Sequence, residues 1–162
     1  MPTDRIEHEI RIDAPIDVVW SVLTEPEQIT QWFSDSAEFE PRPGADGTLA
    51  FRGSRKASRP DDSEPEGIVN LRVKRVEPPR CFSFRWDYPR GVEPDESNAP
   101  LVEFTLAEDG DGTRLTLVES GFQGLGWTDD ENERYVDDHE RGWDHHLGLL
   151  RAHANAAFRG RA

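Results

Sequence analysis

The stretch from Thr128 to Phe158 constrains the fold most, because it predicts one long amphipathic helix. Thr128 precedes Glu131 by three residues, which is the spacing of a capping box at a helix start. Apolar side chains and one histidine recur along the helix at steps of three and four and therefore share one face; they are Val136, His139, Trp143, Leu147, Leu150, Ala154 and Ala157. At ~1.5 Å per residue the helix would be ~40 Å long. Its partner should therefore be a whole sheet.

Upstream of that helix, alternating apolar and polar residues predict strands. The first covers residues 5–12, and two short helices follow, the second capped by Thr24 and running to about Phe33. Six further strands are separated by turns, so neighbouring strands should pair antiparallel. The sequence therefore predicts a single α+β domain over residues 1–162, in which a curved seven-stranded antiparallel sheet wraps around the long C-terminal helix. A tunnel should remain wherever side chains do not fill the space between them.

Aromatic residues concentrate on one face of the strand predicted at residues 81–88. Phe82, Phe84, Trp86 and Tyr88 should point one way, and Asp87 the other. This face must either pack under the long helix or form a pocket wall. Trp32, at the end of the second short helix, should likewise either pack in the core or line a cavity.

Charge and composition narrow the classes of partner. The sequence has 33 acidic and 19 basic residues, for a formal charge of -14, so we expect no nucleic-acid partner. We find no apolar run of membrane-spanning length or signal-like segment, and expect a cytoplasmic protein. Residues 53–67 lack large apolar side chains and predict a mobile, solvated loop, which is either a lid or a simple insertion.

We expect no metal and no cofactor. The single cysteine, Cys81, excludes an intrachain disulfide and a cysteine-based zinc site. His139, His146 and His153 are seven residues apart, or ~10.5 Å along a helix, which is too far for one metal ion. We recognise no catalytic motif.

Glu119 is the most specific candidate for a polar group in the interior. It continues the inward phase of the last strand, where desolvation would make it a proton acceptor or a ligand anchor. The alternative places it at the end of the strand, in water or bonded to a backbone N–H. His139 and His146 share the apolar face of the helix with Trp143, so they are either structural histidines or polar groups in the tunnel.

Several short stretches, spread over nearly the whole chain, resemble the START-like helix-grip superfamily of the birch-pollen allergen. They are Ile12-Asp13-Ala14-Pro15, Leu23-Thr24-Glu25-Pro26, Gln31-Trp32-Phe33, Glu77-Pro78-Pro79, Phe84-Arg85-Trp86, the run from Thr113 to Phe122, and Gly142-Trp143. The branch they resemble most is the C-terminal domain of the activator of the ninety-kilodalton heat-shock chaperone's ATPase. The resemblance implies a helix-grip fold, whose members bind or transform many different apolar molecules. Those activators carry an additional N-terminal domain, and this chain begins at the first strand, so chaperone contact is not expected.

The leading hypothesis is a module that binds a small apolar or aromatic ligand between sheet and helix, as a monomer or a homodimer. The predicted ligand-binding residues are Trp32, Phe51, Phe84, Trp86, Glu119, His139, Trp143 and His146. The first alternative, implied by the resemblance, is a polyketide cyclase or dehydratase that uses Glu119 with His139 or His146. The second is a chaperone-interacting domain.

Overall fold

A seven-stranded antiparallel sheet forms one layer of the molecule, in the order β1-β7-β6-β5-β4-β3-β2. The computed structural model describes residues 4–51, 59 and 67–160. The strands are β1 (Arg5–Ile12), β2 (Ser36–Glu38), β3 (Asp46–Ala50), β4 (Ile68–Glu77), β5 (Cys81–Trp86), β6 (Leu101–Asp109) and β7 (Gly112–Ser120). The helices are α1 (Ile16–Thr24), α2 (Pro26–Ile29), a 3-10 turn (Phe122–Leu125) and α3 (Asp129–Gly160). The predicted α+β helix-grip architecture is confirmed.

Helix α3 begins at the predicted capping box. The Thr128 N–H donates to Glu131 Oε1 at 2.9 Å, and the Glu131 N–H donates to Thr128 Oγ1 at 3.2 Å. The buried face of α3 follows the predicted stripe and packs on the sheet and on α1. Tyr135 and Asn132, which we did not place on that stripe, are also buried.

The second of the two short helices is shorter than predicted. Helix α2 ends at Ile29, and its N-cap is Glu25 rather than Thr24. The Thr24 hydroxyl instead donates to the carbonyl of Trp20 at 2.8 Å, because it completes the last turn of α1. Trp32 and Phe33 therefore lie on a turn after α2.

Strand β5 ends at Trp86, two residues earlier than predicted. Asp87 adopts a positive φ of 56°, which stops the alternation after Trp86. The Asp87 side chain consequently bonds to Tyr135 on α3. Tyr88 lines an open groove on the outer face with Asp46 and Arg72. The predicted sides of Asp87 and Tyr88 were therefore wrong.

The loop predicted at residues 53–67 lies outside the described residues, except for Arg59 and Gly67. Arg59 is only 4% exposed, so at this position the prediction of a solvated segment was wrong. Among the described residues, no helix combines the length and the apolar character needed to cross a bilayer.

Candidate functional site

The carboxylate of Glu119 lies in the interior of the fold and is 0% exposed. Trp143 Nε1 donates to its Oε1 at 2.8 Å, and Trp86 Nε1 donates to its Oε2 at 2.7 Å. His139 Nδ1 lies 2.8 Å from Oε1 and 3.0 Å from Oε2. The alternative of a solvent-exposed strand end is wrong, because Glu119 pairs with Ile6 on one side and Val102 on the other.

The local sequence places each of these groups. Glu119 continues the inward alternation of Leu115 and Leu117 on β7, as predicted. Trp86 ends the inward alternation of β5. His139 and Trp143 are four residues apart on α3, so they lie on one face of the helix one turn apart.

The His139 imidazole and the Glu119 carboxylate form a nearly buried ion pair. The side chain of His139 is 10% exposed. Burial by itself lowers the pKa of His139, but the adjacent Glu119 carboxylate outweighs burial and the net pKa is raised above 6.5. Since the Glu119 contact uses Nδ1, proton exchange with another partner would use Nε2.

Phe33 is the centre of an aromatic cluster next to this pair. Its ring is nearly parallel to the rings of Trp32 and Trp143, with centroids 5.1 Å away in each case, and it stacks on Trp86 at 5.7 Å. It also meets Phe51 and His146 edge to face, both at 5.1 Å. Phe33 is absent from the predicted ligand-binding residues, although it stands beside Trp32 in the sequence.

His146 lies at the rim of this cluster. Its Nδ1 is 3.0 Å from the carbonyl oxygen of Trp32, and a carbonyl only accepts, so Nδ1 carries the proton. Partial burial lowers the pKa of His146, which favours the neutral ring.

One interior cavity beside the cluster has a volume of about 10 Å³ and is lined by residues that include Trp32, Phe33 and Phe84. This is enough for about one water molecule. The ligand-sized tunnel predicted from the sequence is therefore not open at this place.

A second buried polar cluster, which sequence reasoning missed, lies near the start of α3. The Tyr135 hydroxyl donates to Asp87 Oδ2 at 2.6 Å, and the Tyr135 ring lies 3.9 Å from that of His139. Arg59 donates to the Asp87 carbonyl at 2.6 Å and lies over the Trp127 ring at 5.1 Å. The clue available in the sequence was that Tyr135 precedes His139 by four residues, which places both on one helix face.

The structure brings the predicted ligand-binding residues into one region. Trp86, Glu119, His139 and Trp143 form the polar centre, whereas Trp32, Phe51 and His146 meet at Phe33. Phe84 contacts Trp86 edge to face at 5.8 Å. In the described part of the chain, no cluster of three His, Cys, Asp or Glu side chains is arranged to hold a metal ion.

The seven-stranded sheet with its long C-terminal helix defines a helix-grip protein of the START-like class. Residues 13–155 match the family model described as "Activator of Hsp90 ATPase homolog 1-like protein". The chain belongs to this family, as its resemblance indicated. A search of curated proteins found no significant match.

Three solved structures show what the chain is similar to. DynU16, described as a protein of the dynemicin biosynthetic locus, is 25% identical over 97% of this chain and 49% of its own, with a TM-score of 0.68. CalU16 from Micromonospora echinospora is 27% identical over 93% of this chain and 65% of its own, with a TM-score of 0.65. The Aha1 dimer from Colwellia psychrerythraea is 16% identical over 99% of this chain and 100% of its own, with a TM-score of 0.68. This chain thus spans about half of DynU16 and less than two thirds of CalU16.

Proposed function

We propose that this protein binds a small apolar or aromatic molecule between the sheet and α3. The observation that carries the proposal is the convergence of aromatic rings from three parts of the fold next to the buried Glu119. Trp86 comes from β5, Trp143 from α3, and Phe33 from the turn after α2. Indole and phenyl walls around a few fixed polar groups are typical of small-molecule sites.

The comparisons support the same proposal. The chain belongs to a family of the START-like class, and DynU16 is described as coming from a biosynthetic locus, a setting in which a domain that holds small molecules has a role. Because the cavity beside Phe33 holds about one water molecule, binding at that place requires a side chain to move. A ligand would therefore select a less populated, open conformation.

Native mass spectrometry of the freshly isolated protein tests the proposal. We expect a mass excess that is lost on denaturation and is reduced in Trp143→Leu. Trp20→Leu is the matched control, since Trp20 lies on α1 and packs against Phe82 of β5, and it makes no hydrogen bond to Glu119 among the described residues. If the protein carries no small molecule, and no compound in an apolar and aromatic library raises its melting temperature, the proposal is wrong.

A second candidate function is proton transfer to or from the bound molecule. The observation that favours it is the Glu119–His139 pair, in which a buried carboxylate orients an imidazole, a common arrangement in acid–base catalysis. The test follows a bound ligand over time by its mass and its NMR spectrum, in the wild type and in His139→Gln, because cyclisation by proton transfer leaves the mass unchanged whereas dehydration lowers it. Conversion by the wild type alone supports an enzyme of the cyclase or dehydratase type, whereas an unchanged mass and spectrum in both proteins support a passive carrier.

Two further partners are hypotheses that depend on the comparisons. The Colwellia protein is described as a dimer, which makes a homodimer a hypothesis for this chain, and light scattering at several concentrations tests it. The family description names an Hsp90 ATPase activator. A pull-down with purified chaperone tests that contact, and failure to retain it excludes the chaperone-interacting alternative.

A further inference from the structure

Phe33 differs from the aromatic residues around it in how it is held. Trp32 is 3% exposed and donates its indole N–H to the Val22 carbonyl at 3.0 Å. Trp143 is 2% exposed and donates to Glu119. Phe33 has no polar group on its side chain to form such a bond, and it is only partly buried.

The position of Phe33 in the chain allows its ring to leave the interior. Its backbone N–H donates to the Ile29 carbonyl at 2.8 Å, on the turn between α2 and β2, outside the sheet. Rotation about the side-chain torsions would therefore move the ring without breaking strand hydrogen bonds. Its departure would leave a space beside Trp32 and Trp143, next to the small interior cavity that Phe33 also lines.

We infer that the Phe33 ring occupies the ligand's place in the closed protein, and that the ligand is an uncharged molecule with a planar aromatic ring. The rings of Trp32 and Trp143, both within 20° of parallel to that of Phe33, favour a flat ring over a saturated one of the same size. This inference is a refinement of the proposed function and depends on it.

The electrostatics of the surrounding residues favour an uncharged ligand. Both oxygens of Glu119 already accept hydrogen bonds from Trp86, Trp143 and His139. His146, against the edge of Phe33, tends to be neutral because burial lowers its pKa. A charged ligand in this position would lose its hydration without gaining a partner from these groups.

Calorimetric titration of three probes tests the inference: 2-naphthol, its saturated analogue decahydro-2-naphthol, and the anion 2-naphthoate. Removal of the competing ring in Phe33→Ala should tighten 2-naphthol binding by about tenfold or more, as expected when a closed state no longer has to open. The other two probes should show no comparable gain. Phe39→Ala is the matched control, because Phe39 is also partly buried and lines the same small cavity, but its ring stacks on Phe82 and not on the tryptophans.

Phe33→Leu provides a second variant in case the alanine variant does not fold, since leucine keeps the core apolar but cannot stack. We expect a smaller gain in affinity for 2-naphthol in this variant.

An equal gain in affinity for the saturated analogue, or an equal gain in Phe39→Ala, would show that the substitution only creates an apolar cavity and would overturn the inference. If the wild type binds saturated molecules in its interior and Phe33 variants do not alter that binding, the proposed function stands and this inference is wrong. If no probe binds to any variant, this inference is wrong, and the native mass spectrometry described above decides the proposed function separately.

Discussion

His139 Nδ1 on α3 lies 2.8 Å from Glu119 Oε1 on β7, so a buried ion pair links the long helix to the sheet. The same carboxylate accepts from Trp86 on β5 and from Trp143 on α3. A buried carboxylate is tolerated only where its lone pairs are used, and here two indoles and an imidazole use them. Glu119 is therefore both a structural link and the polar centre of the proposed ligand site.

Loss of the Glu119 charge should weaken the fold strongly. Glu119→Gln leaves His139 without its anion and directs an amide NH₂ toward indole N–H groups. Breaking a buried ion pair in this way lowers the free energy of unfolding by about 3–5 kcal/mol. Urea denaturation followed by circular dichroism measures it. Glu103→Gln on β6 is the control and should change little, because the Glu103 side chain is 36% exposed. Equal effects at both positions would contradict the account.

The two histidines should titrate on opposite sides of the ordinary value of 6.5. Burial lowers the pKa of His139, but Glu119 reverses this and raises it; burial lowers the pKa of His146. NMR titration of the imidazole resonances measures both. If His139 titrates below His146, the Glu119 contact does not act as described.

The same pair predicts how stability depends on pH. Because the folded pKa of His139 is raised, its stabilising contribution is fully present below pH 6.5 and is lost as the pH rises through the folded value. The free energy of unfolding of the wild type should therefore decrease over this range relative to that of His139→Gln. A difference between the two proteins that does not vary with pH would contradict this prediction.

Removal of the Tyr135 hydroxyl should also destabilise the protein. Tyr135→Phe takes away the donor to the buried Asp87 carboxylate, at a cost of about 1–3 kcal/mol. Tyr88→Phe is the matched control and should have a smaller effect, because Tyr88 is also buried but faces the groove beside Asp46 and Arg72 instead of the buried Asp87 carboxylate. Denaturant titration of both variants provides the comparison, and a larger effect at Tyr88 would be inconsistent with the structure.

The capping box at the start of α3 should show coupling between its two members. Thr128→Ala should lower the free energy of unfolding by about 1 kcal/mol. Glu131→Ala removes the reciprocal bond, so the double variant should lose less than the two single variants together. A double-mutant cycle measures the coupling, and strict additivity would argue against the capping box.

The sequence predicted those parts of the molecule in which periodicity is unbroken. The stripe on α3 and the inward phase of Glu119 both follow from helical spacing or alternation. Alternation fails where the backbone leaves regular geometry, as at Asp87, and this misplaced Tyr88.

Contacts between segments that are distant in the sequence could not be predicted from periodicity. Nothing in the local pattern indicates that Phe33 meets Trp143, or that Arg59 lies over Trp127, because each pair depends on how the elements pack. The small volume of the cavity beside Phe33 could not be predicted for the same reason, since packing density is a property of the assembled core.

The indole N–H resonances of the five tryptophans test most directly whether an aromatic molecule enters between Trp32 and Trp143. On titration of ¹⁵N-tryptophan-labelled protein with 2-naphthol, we predict that the signals of Trp32, Trp86 and Trp143 shift, while those of Trp20 and Trp127 do not. Shifts confined to Trp20 or Trp127, or none at all at saturating probe, would contradict this mode of binding.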